Sequence, residues 1–471
     1  MPRSLPPERL ERYVAWFLVS LLVLFGVINT LRVDGKLRNR RAAADFEVYQ
    51  TAAREASMGG NVYDGLEKKH GLPYHYPPFL ASVLRPTTSM TVPGGALLWN
   101  LLQVAALPLI FIFLAALLRS AQLPRPDLLA AASLAGCAWF FMDNILWSQV
   151  NTFVLLAVTG GLALLFRGQA LGAGALLAVG FSIKFTPVIF LLLLPWFRLR
   201  GAVLFLSGFA AGVIACCLLV PAIAYGPGAA LDMAVAYSGV LSDTLFGGKA
   251  VLPCWDNCAN HSLLFALQAW FGKCGTLLAP LEPETILAIF TALRITMIAG
   301  LLASALKVAL RRIDRDSYLL AAQIALGIVL LSPVAWIHHW VILTIPLALV
   351  AGMALAAPRD LPLALAAALL AATVLTGYQL ELVHAGLISV FLFAAWAALA
   401  ALTLIPGWRR RKPSGLLEPP PTSEQPSTKD QPSALEQPAK AEQPTTAEQP
   451  SALEQPTTAE QPSALEQPTT A

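Results

Sequence analysis

Charged residues are scarce in this 471-residue chain: Asp, Glu, Lys and Arg make up 13% of it, against 56% hydrophobic residues. A soluble domain carries about 25% charged residues. That shortage excludes an ordinary soluble fold, and the apolar residues are bunched into windows of about 20, the length that crosses a bilayer as a helix. Also missing is a small-residue cleavage site after the first apolar stretch, which is itself too long for a signal-peptide core. No cleavable signal peptide is expected, and this stretch should remain as a signal anchor. Cysteine is limited to six residues, three within apolar stretches (Cys137, Cys216, Cys217) and three in one loop (Cys254, Cys258, Cys274). Cys254-x-x-x-Cys258 can pair as a disulfide in an oxidising compartment, leaving Cys274 over. A zinc site with His261 lacks the second ligand pair that zinc requires, so no metal and no cofactor is expected.

What is abundant is apolar sequence. The candidate spans are 13–31, 94–118, 127–142, 151–166, 170–182, 184–197, 201–221, 285–310, 317–332, 336–356, 361–379 and 385–405. The fold class is an all-α polytopic membrane protein. Several stretches between 127 and 197 are shorter than a full crossing and read as half-spans or re-entrant helices buried in protein.

Orientation follows from the basic residues. Arg119 and Arg125, Arg167, Arg198 and Arg200, Lys307 with Arg311, Arg312 and Arg315, Arg359, and Arg409 to Lys412 recur at alternate turns, and Arg3, Arg9 and Arg12 precede the first span. The positive-inside rule places these turns and both termini in the cytoplasm, with about twelve crossings between the termini. Arg32, Lys36, Arg38, Arg40 and Arg41 dissent, since that segment then lies outside; a basic outer segment can clamp an anionic lipid head group. The expected location is the cell (inner or plasma) membrane.

From Pro413 the chain changes character and repeats Glu-Gln-Pro-Ser-Ala-Leu and Glu-Gln-Pro-Thr-Thr-Ala. Proline every sixth residue removes helix hydrogen bonds and no apolar face can form, so residues 413–471 read as a disordered tail beside a membrane domain of residues 1–412. The tail holds nine acidic residues against Lys429 and Lys440, which leaves +11 on residues 1–412 of a chain whose net charge is +4.

On this threading a set of polar residues distant in sequence shares one outer surface. Ala44, Val48, Ala52 and Ala56 recur at i+4 and predict an interfacial helix beginning at Asp45. Asp45 is then either a helix-capping or first-turn acid or a general base placed to take a proton from an alcohol. Glu47, two positions on, points to another face, so the pair makes a poor metal chelate. Lys184 lies in an apolar stretch, where a lysine costs on the order of 3 kcal/mol at mid-bilayer; it either snorkels to an interface or serves an anion or a pathway. Gln149 and Asn151, in Trp147-Ser148-Gln149-Val150-Asn151, and Asn260-His261-Ser262 can cap helices or line a site. His338 and His339 follow Trp336; neighbouring positions on an α-helix project about 100° apart, so at most one is expected to face the site.

These elements, in order, resemble glycosyltransferase family 87, whose members use polyprenol-phosphate sugars. The resemblance is carried by Asp45-Phe46-x-x-Tyr49, Tyr76-Pro77-Pro78, Gln149-x-Asn151, Lys184-x-x-Pro187, Asn260-His261-Ser262 and Ser332-Pro333-x-x-Trp336-x-His338-His339, across roughly residues 14–405. It implies a C-type glycosyltransferase fold whose first outer loop supplies a catalytic aspartate, here Asp45. Lys184 with His338 or His339 would bind the donor phosphate, and Tyr49, Tyr76, Gln149, Asn151, Asn260, His261 and Trp336 would line the substrate site. The implied reaction moves a hexose, mannose being expected, from a polyprenyl-phosphate donor to an extracytoplasmic lipid or glycan acceptor with inversion. Membrane lipids are expected partners and nucleic acid is not. Two positions depart from the family pattern: Ser148 stands where a glycine is usual, and His261 stands where Asn-x-Ser often carries glutamine.

A transporter is the competing class, since short broken helices such as 170–182 and 184–197 are its mark. No matching broken pair occurs in the second half of the chain, and transport needs polar residues through both leaflets whereas these gather at one end. A scaffolding protein would explain the repeats but not the clustered polar residues.

Overall fold

The computed structural model describes residues 6–37, 44–63, 74–246, 262–271, 281–311, 314–332, 335–376 and 387–405. All belong to one unit, Met1–Pro413. The Glu-Gln-Pro repeats, Cys254, Cys258, Cys274, Asn260 and His261 lie outside the described residues, as does Arg38–Arg41.

Among the described residues the chain is helical, with no β-strand. In order the helices are α1 (Pro7–Leu37), α2 (Ala44–Ser57), α3 (Pro78–Leu84), α4 (Val92–Ser120), α5 (Pro126–Gly136), α6 (Ala138–Leu146), α7 (Asn151–Leu165), α8 (Ala170–Ile183), α9 (Leu199–Ile214), α10 (Val220–Tyr225), α11 (Pro227–Phe246), α12 (Leu263–Phe271), α13 (Pro283–Arg311), α14 (Asp314–Leu330), α15 (Thr344–Ala356), α16 (Leu361–Thr376) and α17 (Leu387–Leu404). Three tight 3₁₀ segments, Arg85–Ser89, Thr186–Trp196 and Ile337–Leu343, interrupt the α-helical pattern.

Five helices among the described residues are long and apolar enough to cross a membrane: Pro7–Val33, Val92–Ser120, Leu199–Tyr225, Pro283–Arg311 and Ile337–Ala356. A sixth forms if α5 and α6, bent by 48° at Cys137, act as one span. The remaining apolar stretches form helices of 10–17 residues, as the short stretches between 127 and 197 suggested.

Burial sorts the spans into inner and outer. Only 28%, 17% and 22% of the first, third and fourth spans is buried in protein, against 61% for α4 and 67% for Ile337–Ala356. The outer helices present Phe17, Leu24, Val203, Ile223 and Leu306 to the surroundings, a surface that is stable against lipid and not against water. Apolar side chains are not what draws helices together in lipid, and close backbone approach replaces that drive. At Gly174 of α8 an added Cβ would lie 2.0 Å from the Phe205 carbonyl oxygen, and at Gly208 of α9 2.0 Å from that of Leu171, so these two helices touch through their glycines.

Polar side chains collect at two separate ends of the bundle. At one end Arg12 lies 3.6 Å from Asp127, which also pairs with Arg119. Tyr318 donates to Ser120 at 3.2 Å and stacks on Phe166 at 4.0 Å, Phe166 meets Trp196, and Arg315 pairs with Asp360 at 3.2 Å. The basic turns are thus gathered together. On α4, Asn100 and Arg119 are separated by about 28 Å of helix, and Asn100 belongs to the other end.

Candidate active site

At that other end α2 is fixed from both sides. Phe46, Tyr49, Ala52, Ala53 and Ala56 are buried, and Gln50 donates to the Thr87 carbonyl at 2.6 Å while Arg54 reaches the carbonyls of Thr88 and Met90 at 3.2 and 3.0 Å. The i+4 stripe predicted a helix here, and it forms. Asp45 sits in its first turn, half-buried, but its carboxylate is not spent on the helix end. It accepts a 2.6 Å hydrogen bond from the Gln149 side chain, 104 residues away. Glu47 points outward and is exposed.

Gln149 is presented by the way α6 ends. The Ser148 N–H bonds to the Ile145 carbonyl at 3.0 Å and the Gln149 N–H to that of Asn144 at 2.9 Å, the paired closure of a Schellman motif. The motif needs a left-handed residue at Ser148, whose φ is 53°. A conformation that disfavours every residue with a Cβ accounts for the glycine of the family pattern. The Trp99 indole donates to the Gln149 carbonyl at 3.3 Å, and the side-chain oxygen of Gln149 accepts from Tyr49 at 3.1 Å with the Tyr76 hydroxyl 3.4 Å away. The Tyr49 and Tyr76 hydroxyls also lie 3.0 Å apart, their rings packed edge to face. Burial pushes both phenols above the ordinary tyrosine range, so they remain protonated.

A second branch runs behind the first. Asn144 donates to Gln103 and to Thr152, the latter at 2.9 Å, and accepts from Asn151 at 3.2 Å. Asn151 in turn accepts from the Lys184 ammonium at 2.9 Å. Lys184 is where α8 stops: its backbone is extended, with Pro187 close behind to prevent the helix from resuming. Its Nζ also lies 2.9 Å from Nε2 of His339, while His338 places Nδ1 3.1 Å from the carboxylate of Asp143. Trp336 stacks parallel to His338 with ring centres 6.4 Å apart.

The structure therefore brings Asp45, Tyr49, Tyr76, Gln149, Asn151, Lys184, Trp336, His338 and His339 into one cluster. Asn260 and His261 lie outside the described residues, and the neighbouring Ser262 accepts from the Phe265 N–H at 3.1 Å as the cap of α12. One expectation is corrected. Both histidines, not one, join the cluster, because Ile337–Leu343 is a 3₁₀ segment approached from two sides, by Asp143 on α6 and by Lys184 at the end of α8. Asp143, Asn100, Gln103 and Asn144 escaped the sequence reading; each is a polar residue in an apolar run, the signal that singled out Lys184.

The Asp45 carboxyl lies above the usual aspartate range chiefly because it is desolvated. The Gln149 hydrogen bond and the charges of His338 and Lys184 partly offset this, and Asp143 adds to the rise. One small volume thus holds a basic carboxylate, a lysine and two imidazoles. Beside it, between α3, α4, α7 and α8, runs a cavity of about 500 Å³ lined by Phe79, Val83, Leu98, Leu176 and other apolar side chains. Trp99 and Ile183 carry this cavity up to Gln149 and Lys184.

A model of glycosyltransferase family 87 matches residues 74–377, which include Gln149, Lys184 and both histidines. The chain belongs to glycosyltransferase family 87. Membership decides for an enzyme over a transporter or a scaffold, and makes this helical protein a membrane glycosyltransferase. Asp45 and Tyr49 precede the matched residues. Over 371 residues this family 87 chain is 26% identical to the polyprenol-phosphate-mannose-dependent alpha-(1-2)-phosphatidylinositol mannoside mannosyltransferase of Mycobacterium tuberculosis, covering 74% of this chain and 78% of that protein. No solved structure matches the chain.

Proposed function

We propose that this family 87 glycosyltransferase moves a mannosyl residue from a polyprenyl-phosphate donor to a hydroxyl of a lipid or glycan acceptor, inverting the anomeric carbon, on the extracytoplasmic face of the cell membrane. The observation that carries the reading is the network that brings the Asp45 carboxylate, held by Gln149 at 2.6 Å, into one cluster with Lys184, held by Asn151 and His339 at 2.9 Å each. Asp45 accepts the proton of the acceptor hydroxyl as that oxygen bonds to the anomeric carbon. The bond from that carbon to the phosphate oxygen breaks, and polyprenyl phosphate leaves with the electron pair. Lys184 and the histidines oppose the charge that grows on the phosphate, which stabilises the transition state more than the bound donor. Gln149 holds the carboxylate in position, and Tyr49, Tyr76, Asn151 and Trp336 surround the sugar.

The donor class is supported by the family and the mannosyl group by the name of the mycobacterial relative. The apolar cavity suits the isoprenoid chain of such a donor, since its lining reaches Ile183, next in sequence to Lys184, where the phosphate would sit. The catalytic domain is residues 1–412, and residues 413–471 take no part in the chemistry.

The test is transfer from radiolabelled polyprenyl-phosphate mannose into lipid acceptor, measured for wild type and Asp45→Asn at matched expression. Loss of a general base removes about 100- to 10,000-fold of rate. That loss is expected, with donor binding near normal; activity within about threefold of wild type would remove Asp45 from the mechanism.

A further inference from the structure

Asp143 is the one carboxylate on α6, a largely apolar helix, between the buried Met142 and Asn144, with its side chain 15% exposed. A charge in such a place needs a partner. Its partner is Nδ1 of His338, whose side chain is 6% exposed. The other nitrogen of that ring, Nε2, is buried and has no hydrogen-bond partner among the described residues. A buried polar atom left open in this way asks for an explanation, and a ligand atom is one.

The ring is held against rotation. Trp336 lies parallel to it, and His339 packs edge-on with ring centres 4.9 Å apart. With Nδ1 committed to Asp143, Nε2 is the nitrogen left for the cluster, where Asp45 and Lys184 are within electrostatic range of the imidazole. His339 differs, because its Nε2 already meets Lys184.

We propose that Asp143 is a positioning residue that holds His338 by Nδ1 so that the Nε2–H of His338 donates to the departing phosphate of the donor. The inference rests on the glycosyl-transfer reading above and divides the adjacent histidines: His338 meets the phosphate, and His339 acts through Lys184. With Nδ1–H held by Asp143, Nε2 donates only from the doubly protonated ring, the form that the carboxylate on one side and the anionic donor phosphate on the other favour together. The bound donor phosphate carries one negative charge and gains a second as the glycosidic bond breaks. A cation at Nε2 therefore contributes most in the transition state. No further bond changes are required, because the proton stays on the nitrogen and is shared with the phosphate oxygen.

The experiment measures initial rates with the purified full-length enzyme, varying polyprenyl-phosphate mannose and acceptor in turn, for Asp143→Asn, His338→Gln and the double substitution. Each single change is expected to lower kcat by about 10- to 100-fold, the scale of a lost charge-assisted hydrogen bond, with the acceptor KM within twofold. The double variant should match His338→Gln within threefold, because Asp143 has nothing left to position. A loss below tenfold in Asp143→Asn overturns the proposal, and so does a double variant more than threefold slower than His338→Gln. If Asp143→Asn alone does not insert, the comparison of His338→Gln with the double variant decides, as the latter leaves no unpaired charge. Asp45→Asn run in parallel separates the two levels. Wild-type activity there removes the general-base reading underneath, whereas an inactive Asp45→Asn beside a fully active Asp143→Asn removes only the dyad.

Discussion

Asp45 gains basicity from burial, and this has consequences in pH and in stability. Desolvation is the largest cause of its raised pKa, and the Gln149 amide and the charges of His338 and Lys184 only partly reverse it. The proposed mechanism needs the carboxylate, so kcat/KM should fall as pH drops through the folded-state pKa, and that acid limb should centre above 3.8, the ordinary aspartate value. A limb at or below it would mean that burial does not tune the base. The stability effect has the opposite sense from a salt-bridged aspartate. A folded pKa above the unfolded one contributes stability below the unfolded pKa, and that contribution is lost as pH rises through the folded one. At pH 7 Asp45→Asn should thus unfold at the same temperature as wild type or higher, while inactive. Asp45 was legible in the sequence because it opens a helix marked by the i+4 stripe, and Gln149, Asn151 and Lys184 because each is a polar residue beside or within an apolar run. Asp143 obeys the same rule but lies one residue beyond the stretch read as 127–142. Asn100 and Gln103 gain meaning only from Asn144 and Ile145 across the helix interface, a relation that no local pattern carries.

At the scale of elements, the site is made where helices stop. α6 closes through Ser148, α8 ends at Lys184, and the chain tightens into 3₁₀ turns at Thr186–Trp196 and Ile337–Leu343. Backbone that leaves the α-helix in a membrane must be buried in protein or line a cavity, and here it delivers Gln149, Lys184 and the two histidines to one volume. Helical periodicity in the sequence located the apolar stretches but could not reveal these tightened segments, because an α-helix and a 3₁₀ run of uniformly apolar residues read alike. Lys184 joins two of them, through its own position and its contact with His339. Lys184→Met should raise the donor KM or lower turnover by about 10- to 150-fold, the range of a charge-assisted contact, with the acceptor KM unchanged. Lys184→Arg should recover part of the loss, since the charge is kept while its shape changes. Wild-type donor kinetics in Lys184→Met would return this residue to a snorkelling role.

Across the described helices, two polar assemblies lie at opposite ends. Arg12, Arg119 and Arg315 are held at one end through Asp127, Tyr318 and Asp360, and the Asp45–Lys184 cluster lies at the other. The sequence carried this division because basic residues recur at alternate turns. Among the described residues five or six of the apolar stretches are long enough to cross alone, and the others form helices of 10–17 residues, since apolar composition does not report where a short helix ends inside protein. If the positive-inside rule orients the bundle, the basic end faces the cytoplasm and the active site faces away from it. Arg32, near the C-terminal end of α1, would then sit on the outer side, suited to an anionic head group. Two exposed positions test this. Met58, just after α2, is 72% exposed at the site end, and Leu199, at the start of α9, is 82% exposed at the basic end. In a background with Cys254, Cys258 and Cys274 replaced by serine, Met58→Cys should react in intact cells with a membrane-impermeant maleimide, and Leu199→Cys only after permeabilisation. The reverse pattern would invert the enzyme, place acceptor and donor on the cytoplasmic side, and leave the chemistry of Asp45 and Lys184 standing while overturning the extracytoplasmic assignment.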